Sequence, residues 1–192
     1  ARFYKVFGAI REKYGLNVCP IQIPIIDGDT VIGFANLVEM CVYTFERTTG
    51  EYVRSSIPEK FLEVCNEYHN ILLEAIAQTS DELMDKFFGG EDFTYAEMIK
   101  GMHAGVLDHT LYPVLCGSGF TCLGSLMLMD HICDLLPNPV EGNYHKATLA
   151  DGTTEEFVVS PGGVPSAFVF KTVSDQYGKY SYIKVLSGEI TS

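Results

Sequence analysis

Several features are missing from this sequence, and each absence narrows what it can do. No apolar run reaches the ~18–20 residues of a membrane span and no signal-peptide pattern opens the chain, so no membrane role is expected. Basic residues are scarce: 13 Lys and Arg stand against 25 Asp and Glu, a net charge of −12. A surface this acidic repels phosphate backbones unless its cations are gathered in one place, and here they are scattered. Direct nucleic-acid binding is therefore not expected, whereas a basic protein partner is. No internal repeat or low-complexity tract is visible, and no initiator Met opens the chain, which leads us to expect a piece of a longer protein.

Short cysteine spacings are missing too. Cys19, Cys41, Cys65, Cys116, Cys122 and Cys133 form no C-x-x-C pair, and several fall within apolar patterns. The expectation is reduced thiols in a cytoplasmic protein. His69, His103, His109, His131 and His145 supply no zinc spacing, so no metal site is expected.

What is present is a 47% hydrophobic content, enough for a substantial core. Residues 1–14 set Arg2, Lys5, Arg11 and Lys13 against Phe3, Val6, Phe7 and Ile10, a helix closed by Gly15. VCPIQIPI (18–25) is strand-like, Asp27-Gly28-Asp29 marks a turn, and residues 31–45 supply one or two strands before Thr48-Thr49-Gly50 breaks them. From Pro58 to Ala77, Phe61, Val64, Cys65, Tyr68, Leu72 and Ile76 recur at helical steps. Glu59, Glu63, Glu67 and Glu74 take the opposite face, at ~100° per residue. Capping boxes at Thr79–Glu82 and Thr94–Glu97 open two further helices. Glu59 to Glu97 holds ten acidic residues and two basic ones, Lys60 and Lys86: a solvated helical face or a docking surface.

LYPVLCGS (111–118) reads as a buried strand, and residues 123–136 as a helix with Leu126, Met129, Cys133 and Leu136 on one side, stopped by Pro137 and Pro139. Residues 140–160 read as a linker with one short strand at EEFVVS. SAFVFKTVS and KYSYIKVLSG follow, joined through Asp175–Gly178. Two strands make no stable sheet alone, so an all-β domain is expected to begin here.

The junction PVLCGSGFTCLG, between the strand at 111 and the helix at 123, carries the functional question. A nucleophile elbow requires G-x-S-x-G, but Cys116 and Phe120 flank Ser118 at the glycine positions. Cys116 as a nucleophile would need a base such as His109 or His131. A phosphate loop requires lysine after the second glycine, and Ser125 stands there. What remains is a tight turn, or a loop that reads an uncharged planar group through backbone N–H donors.

PVLCGSGF…LG…LMDHICDLLPNPVEG resembles the end of the GTP-binding domain of the bacterial elongation factor G family, where a strand, a C-G-S-A-F-like motif, a helix and an L-P-S-P turn follow in that order. IQIPI with GFANLVEM is similar to the opening of that family's inserted subdomain, IPEKFLEVCNEYHNILLEAIAQTSDELMDKFFGGEDFT to its acidic helices, and SAFVFKTVSDQYGKYSYIKVLSG to the first strands of its second, β-barrel domain. The resemblance implies an α/β fold: the C-terminal part of a P-loop GTPase domain with an inserted α+β subdomain, then the first barrel strands. Its divisions would be the G-domain helix at 1–15, the insertion at 16–109, the last G-domain strand and helix at 110–139, the linker at 140–160 and the barrel start at 161–192.

The resemblance further implies a ribosome-associated translational GTPase that promotes tRNA–mRNA translocation. Ser118 and Gly119 would sit at the guanine, the Gly119 N–H donating to the base oxygen. Glu59, Glu63, Glu67 and Glu74 would face the large-subunit stalk protein. GTP or GDP and Mg would belong to the complete protein. This chain holds no G-K-[ST] or N-K-x-D, nor a D-x-x-G serving a magnesium site, so alone it should neither hydrolyse GTP nor bind nucleotide tightly. The family has alanine where Gly119 stands and a basic K-N-K-G stretch where Thr121–Gly124 stand, leaving open a paralogue or a ribosomal-protection protein. Two other readings stay open: a hydrolase using Cys116 or Ser118, and a non-enzymatic acidic interaction module.

Overall fold

In the computed structural model, residues 2–46, 51–141 and 145–191 are described; the expected break at Thr48–Gly50 lies outside them. The chain is a mixed α/β protein in two compact units, residues 1–136 and 137–192.

The first unit begins with α1 (Arg2–Tyr14), whose last turn is closed by the Gly15 N–H donating to Arg11 O at 2.8 Å. The expected strand at 18–25 is two strands, β1 (Val18–Pro20) and β2 (Gln22–Asp27), divided at Ile21. β1 pairs in parallel with β6 (Tyr112–Val114), while β2 leads an antiparallel meander β2-β3-β4-β5. The other meander strands are β3 (Thr30–Asn36), β4 (Cys41–Phe45) and β5 (Tyr52–Ser55). Ile21 is the pivot: its N–H donates to Val114 O at 3.0 Å and its carbonyl accepts from Leu37 N at 2.8 Å. The expected insertion at 16–109 therefore shares a sheet with the segment at 110–139, because β1 is hydrogen-bonded to β6.

Three helices share a core with the strands. α2 (Glu59–Ala77) buries Cys65, Leu72, Ala75 and Ile76 in a core with Cys19, Ile21, Ile23, Ile25, Ala35 and Leu37. The apolar side chains that recur at three- and four-residue steps along α2 meet the strand residues there, which is why the helical period was legible. α3 (Asp81–Phe88) and α4 (Tyr95–Leu107) add Leu83, Met98 and Met102. Phe3, Tyr4 and Phe7 of α1 form an edge-and-stack cluster with Tyr68 of α2, ring centroids 5.4–6.0 Å apart.

The cap at α3 differs from expectation by one residue. Ser80, not Thr79, accepts from Leu83 N at 3.2 Å, while the Thr79 hydroxyl donates back to Ile76 O at 2.7 Å and closes α2. The box at Thr94–Glu97 forms as expected.

The expected strand at 111–118 shortens to β6, since only Val18–Pro20 are available to pair with it. α5 (Ser125–Leu135) corrects a second expectation: it buries Met127, His131 and Leu135, whereas Leu126, Met129, Cys133 and Leu136 are exposed. Its apolar residues surround the whole helix, so periodicity could not choose the packed face.

In the second unit the expected linker at 140–160 carries a hairpin of β7 (His145–Thr148) and β8 (Thr154–Phe157). β9 (Ser166–Asp175) and β10 (Gly178–Ser187) form a longer hairpin, whose turn is held by Asp175 Oδ1 accepting from Tyr177 N and Gly178 N at 2.7 and 3.1 Å. Phe168, Val169, Phe170, Tyr180, Tyr182, Ile183 and Val185 all remain exposed along it.

The Thr94–Glu97 box yields a pH prediction. Hydrogen bonds from Lys86 (2.7 Å), the Thr94 N–H (2.7 Å) and the Thr94 hydroxyl (2.8 Å) hold the Glu97 carboxyl down at about 2 against an ordinary 4.5. A lowered folded-state value contributes stability that is complete above the unfolded value and is lost as pH falls through the folded one. Glu97→Gln should therefore destabilise the protein at pH 7, by an amount that shrinks between pH 4.5 and 2, as measured by thermal melts across that range.

Candidate functional site

Parallel strands that end side by side leave a crevice beyond their carboxyl ends, the usual ligand position in α/β sheets. Here β1 and β6 end at Pro20 and Val114, and the 116–124 loop follows β6. The loop closes on itself: Ser118 and Leu123 form an isolated antiparallel bridge, with Ser118 N–H donating to Leu123 O at 2.9 Å. The Ser118 hydroxyl accepts from Thr121 N at 3.2 Å. Gly124, at φ +84°, turns the chain into α5, and its N–H donates to the Tyr52 hydroxyl at 2.7 Å.

Gln22 holds the loop from beneath. Its side chain is fully buried, and its Nε2 donates to the Cys116 carbonyl. The Cys116 thiol in return reaches the Gln22 carbonyl at 3.9 Å. No motif signalled this glutamine; the only clue was a polar residue inside an otherwise apolar strand. Its Oε1 has no hydrogen-bond partner among the described residues.

A cavity of about 480 Å³ opens beside the loop, lined by Cys116, Gly117, Ser118 and Thr121 together with Arg2, Asp29 and Phe34. Ser118 thus lies on its wall, with its N–H committed inside the loop. Gly119 lies at the exposed tip with open space where a Cβ would stand, and among the described residues its N–H has no partner. Phe120 beside it is 98% exposed.

Nucleophile chemistry finds little support in this geometry. Burial pushes the Cys116 thiol up to about 12, so it is protonated at neutral pH, and no histidine lines the cavity. His131 lines a different cleft, and His109 is exposed at the end of α4. Among the described residues no cluster of His, Cys, Asp and Glu could hold a metal ion, and no helix is long and apolar enough to cross a membrane.

The acidic residues of α2 are only partly alike. Glu59, Glu63 and Glu67 are exposed on one face, whereas Glu74 reaches Arg11 of α1 at 3.8 Å. Among the described residues, three carboxylates thus stand without an ion-pair partner and the fourth has one.

Loop geometry separates two glycines. A Cβ at Gly124 would meet Cys116 O at 2.9 Å on a backbone that L-residues rarely adopt, whereas Gly119 has open space. Gly124→Ala should cost about 1–3 kcal/mol in urea unfolding, and Gly119→Ala should stay within about 0.5 kcal/mol. In native-state maleimide labelling, the exposed Cys122 and Cys133 should react first, with Cys19, Cys65 and Cys116 protected until unfolding.

No known protein-family profile matches the chain. A protein of Thermus thermophilus, known from its crystal structure, is similar to it with 27% identity and a TM-score of 0.76, over 97% of this chain and 25% of the other. The chain spans about a quarter of the length of that protein.

Proposed function

We propose that this chain is a segment of a translational GTPase of the elongation factor G type, with the 116–124 loop forming one wall of a guanine pocket. The observation that carries the reading is the placement of that loop. It follows a parallel strand pair at its carboxyl end, is pinned by Gln22, lacks an activated nucleophile or a lysine, and presents at Gly119 a backbone N–H that has no partner among the described residues. A single N–H donor held in a fixed loop suits a carbonyl oxygen on a planar base edge, which distinguishes guanine from adenine by donor and acceptor pattern.

The similarity to a chain four times as long supports the segment reading, as do the apolar residues exposed on α5 and along β9–β10. In this reading phosphate binding, magnesium and hydrolysis belong to parts of the protein beyond this segment. Glu59, Glu63 and Glu67 form the face offered to a basic surface on the large-subunit stalk protein; Glu74 contributes less, because Arg11 already engages it. Charge steering would make that docking fast and salt-sensitive.

Two experiments test these assignments. Guanosine at millimolar concentration should shift the amide resonances of Ser118–Thr121, adenosine should not, and Gly119→Pro should abolish the effect by removing the donor. Equal shifts with adenosine would overturn the base-reading assignment. Glu63→Lys with Glu67→Lys should weaken stalk-protein binding at least about tenfold, ~1.4 kcal/mol, in a titration at low salt; unchanged affinity would refute the docking face.

A further inference from the structure

A second cleft, of about 720 Å³, lies on the first unit, bounded by the β3–β4 turn, β5, the start of α4 and one side of α5. Its charge has one sign. Glu39, Asp130 and Asp134 line it together with Glu51, and no lysine or arginine is among its lining residues. Tyr43, Tyr52 and Tyr95 supply aromatic walls.

The carboxylates are differently held. The Asn36 side-chain oxygen caps the β3–β4 turn by accepting from Val38 N and Glu39 N at 2.9 and 3.1 Å. Glu39 then takes the Tyr43 hydroxyl at 2.6 Å and lies 3.6 Å from Arg54, so its position is set from three sides. Asp130 and Asp134 are exposed, four residues apart on one helix face, with no ion-pair partner among the described residues. Like charges at that spacing repel and destabilise an isolated helix. The arrangement is explained if something cationic relieves it.

His131 is the independent observation. It sits between the two aspartates, is only 8% exposed and lines the cleft, yet its Nδ1 has no hydrogen-bond partner among the described residues. Burial holds its pKa below the ordinary histidine value despite the neighbouring carboxylates, so the ring is uncharged at neutral pH and one of its nitrogens is an acceptor. A buried polar group without a partner is costly, and a bound water or ion is one of the ways native proteins relieve it. Acceptors from carboxylate and imidazole, with three tyrosine rings, describe a site for a soft organic cation, which gains from both charge and the ring faces. A bare divalent ion fits poorly, since no three of these groups converge closely enough to ligate one.

We propose that this cleft binds an alkylammonium group, presented either by a free polyamine or by a lysine side chain of a basic peptide. The cleft shares Tyr52 with the restraint on Gly124, but Glu39, Asp130, Asp134 and Tyr95 belong neither to the 116–124 loop nor to the exposed face of α2.

The test is calorimetric titration of the chain with spermidine at low ionic strength. Three variants discriminate: Asp130→Asn with Asp134→Asn, Tyr95→Ala, and a control carrying Glu59→Gln, Glu63→Gln and Glu67→Gln. The proposal expects saturable one-site binding, weakened at least about tenfold by the aspartate pair, weakened about threefold by Tyr95→Ala and changed less than about twofold by the control. A trilysine peptide run beside spermidine separates the two sources, the tighter ligand naming the one the cleft is built for. Absence of saturable binding would overturn the proposal, as would an equal loss in the control, which would mean diffuse attraction to an acidic surface. Displacement of spermidine by magnesium chloride, but not by sodium chloride of equal ionic strength, would overturn it in favour of a divalent-cation site.

Discussion

The architecture of the first unit depends on one residue's two backbone hydrogen bonds. Ile21 donates to Val114 of β6 and accepts from Leu37 beyond β3, so a single extended stretch serves a parallel pair at one end and an antiparallel meander at the other. Its side chain is fully buried, as are those of Cys19, Pro20, Gln22 and Ile23, so the stretch is covered on both faces and a shift of register would disturb packing on each. Residues 18–20 and 112–114, far apart in sequence, are thereby locked edge to edge.

The loop at 116–124 inherits its position from that lock. Gln22 follows the pivot directly, and because β2 is fixed, its amide can hold the Cys116 carbonyl at a set place. Tyr52 of β5 restrains the other end of the loop at Gly124. A short loop tied at both ends, with its serine bonds turned inward, leaves its tip glycine exposed. This is preorganisation by the backbone, and it needs neither charge nor a nucleophile.

Charge is organised by the same scaffold into two different surfaces. On α2 the carboxylates of Glu59, Glu63 and Glu67 are spread along an exposed helix face, where each is solvated and acts mainly at long range. In the cleft between the β3–β4 turn and α5, they line one concave surface together with tyrosines and a buried imidazole. An overall charge of −12 thus contains two local features of different physical character. The second unit differs again, with a long hairpin whose apolar side chains are exposed on both faces.

Helix α2, the Thr94–Glu97 cap, the Gly15 stop and the Asp175–Gly178 turn were legible in the residues, since each rests on periodicity or on contacts within a few positions. The β7–β8 hairpin was not, because its short polar strands carry no alternation strong enough to read. The packed face of α5 escaped for the opposite reason: apolar residues all round the helix left tertiary contact to choose Met127, His131 and Leu135. That CGSGF matches neither a nucleophile elbow nor a phosphate loop was legible in the sequence itself, whereas the burial of Cys116, with no histidine on its cavity, was decided by the tertiary structure. That Gln22 supports the loop, and that Glu39, Asp130, Asp134 and His131 share one cleft, was decided only by the tertiary structure, because such groups meet through strand pairing and helix docking over distances to which local patterns are blind.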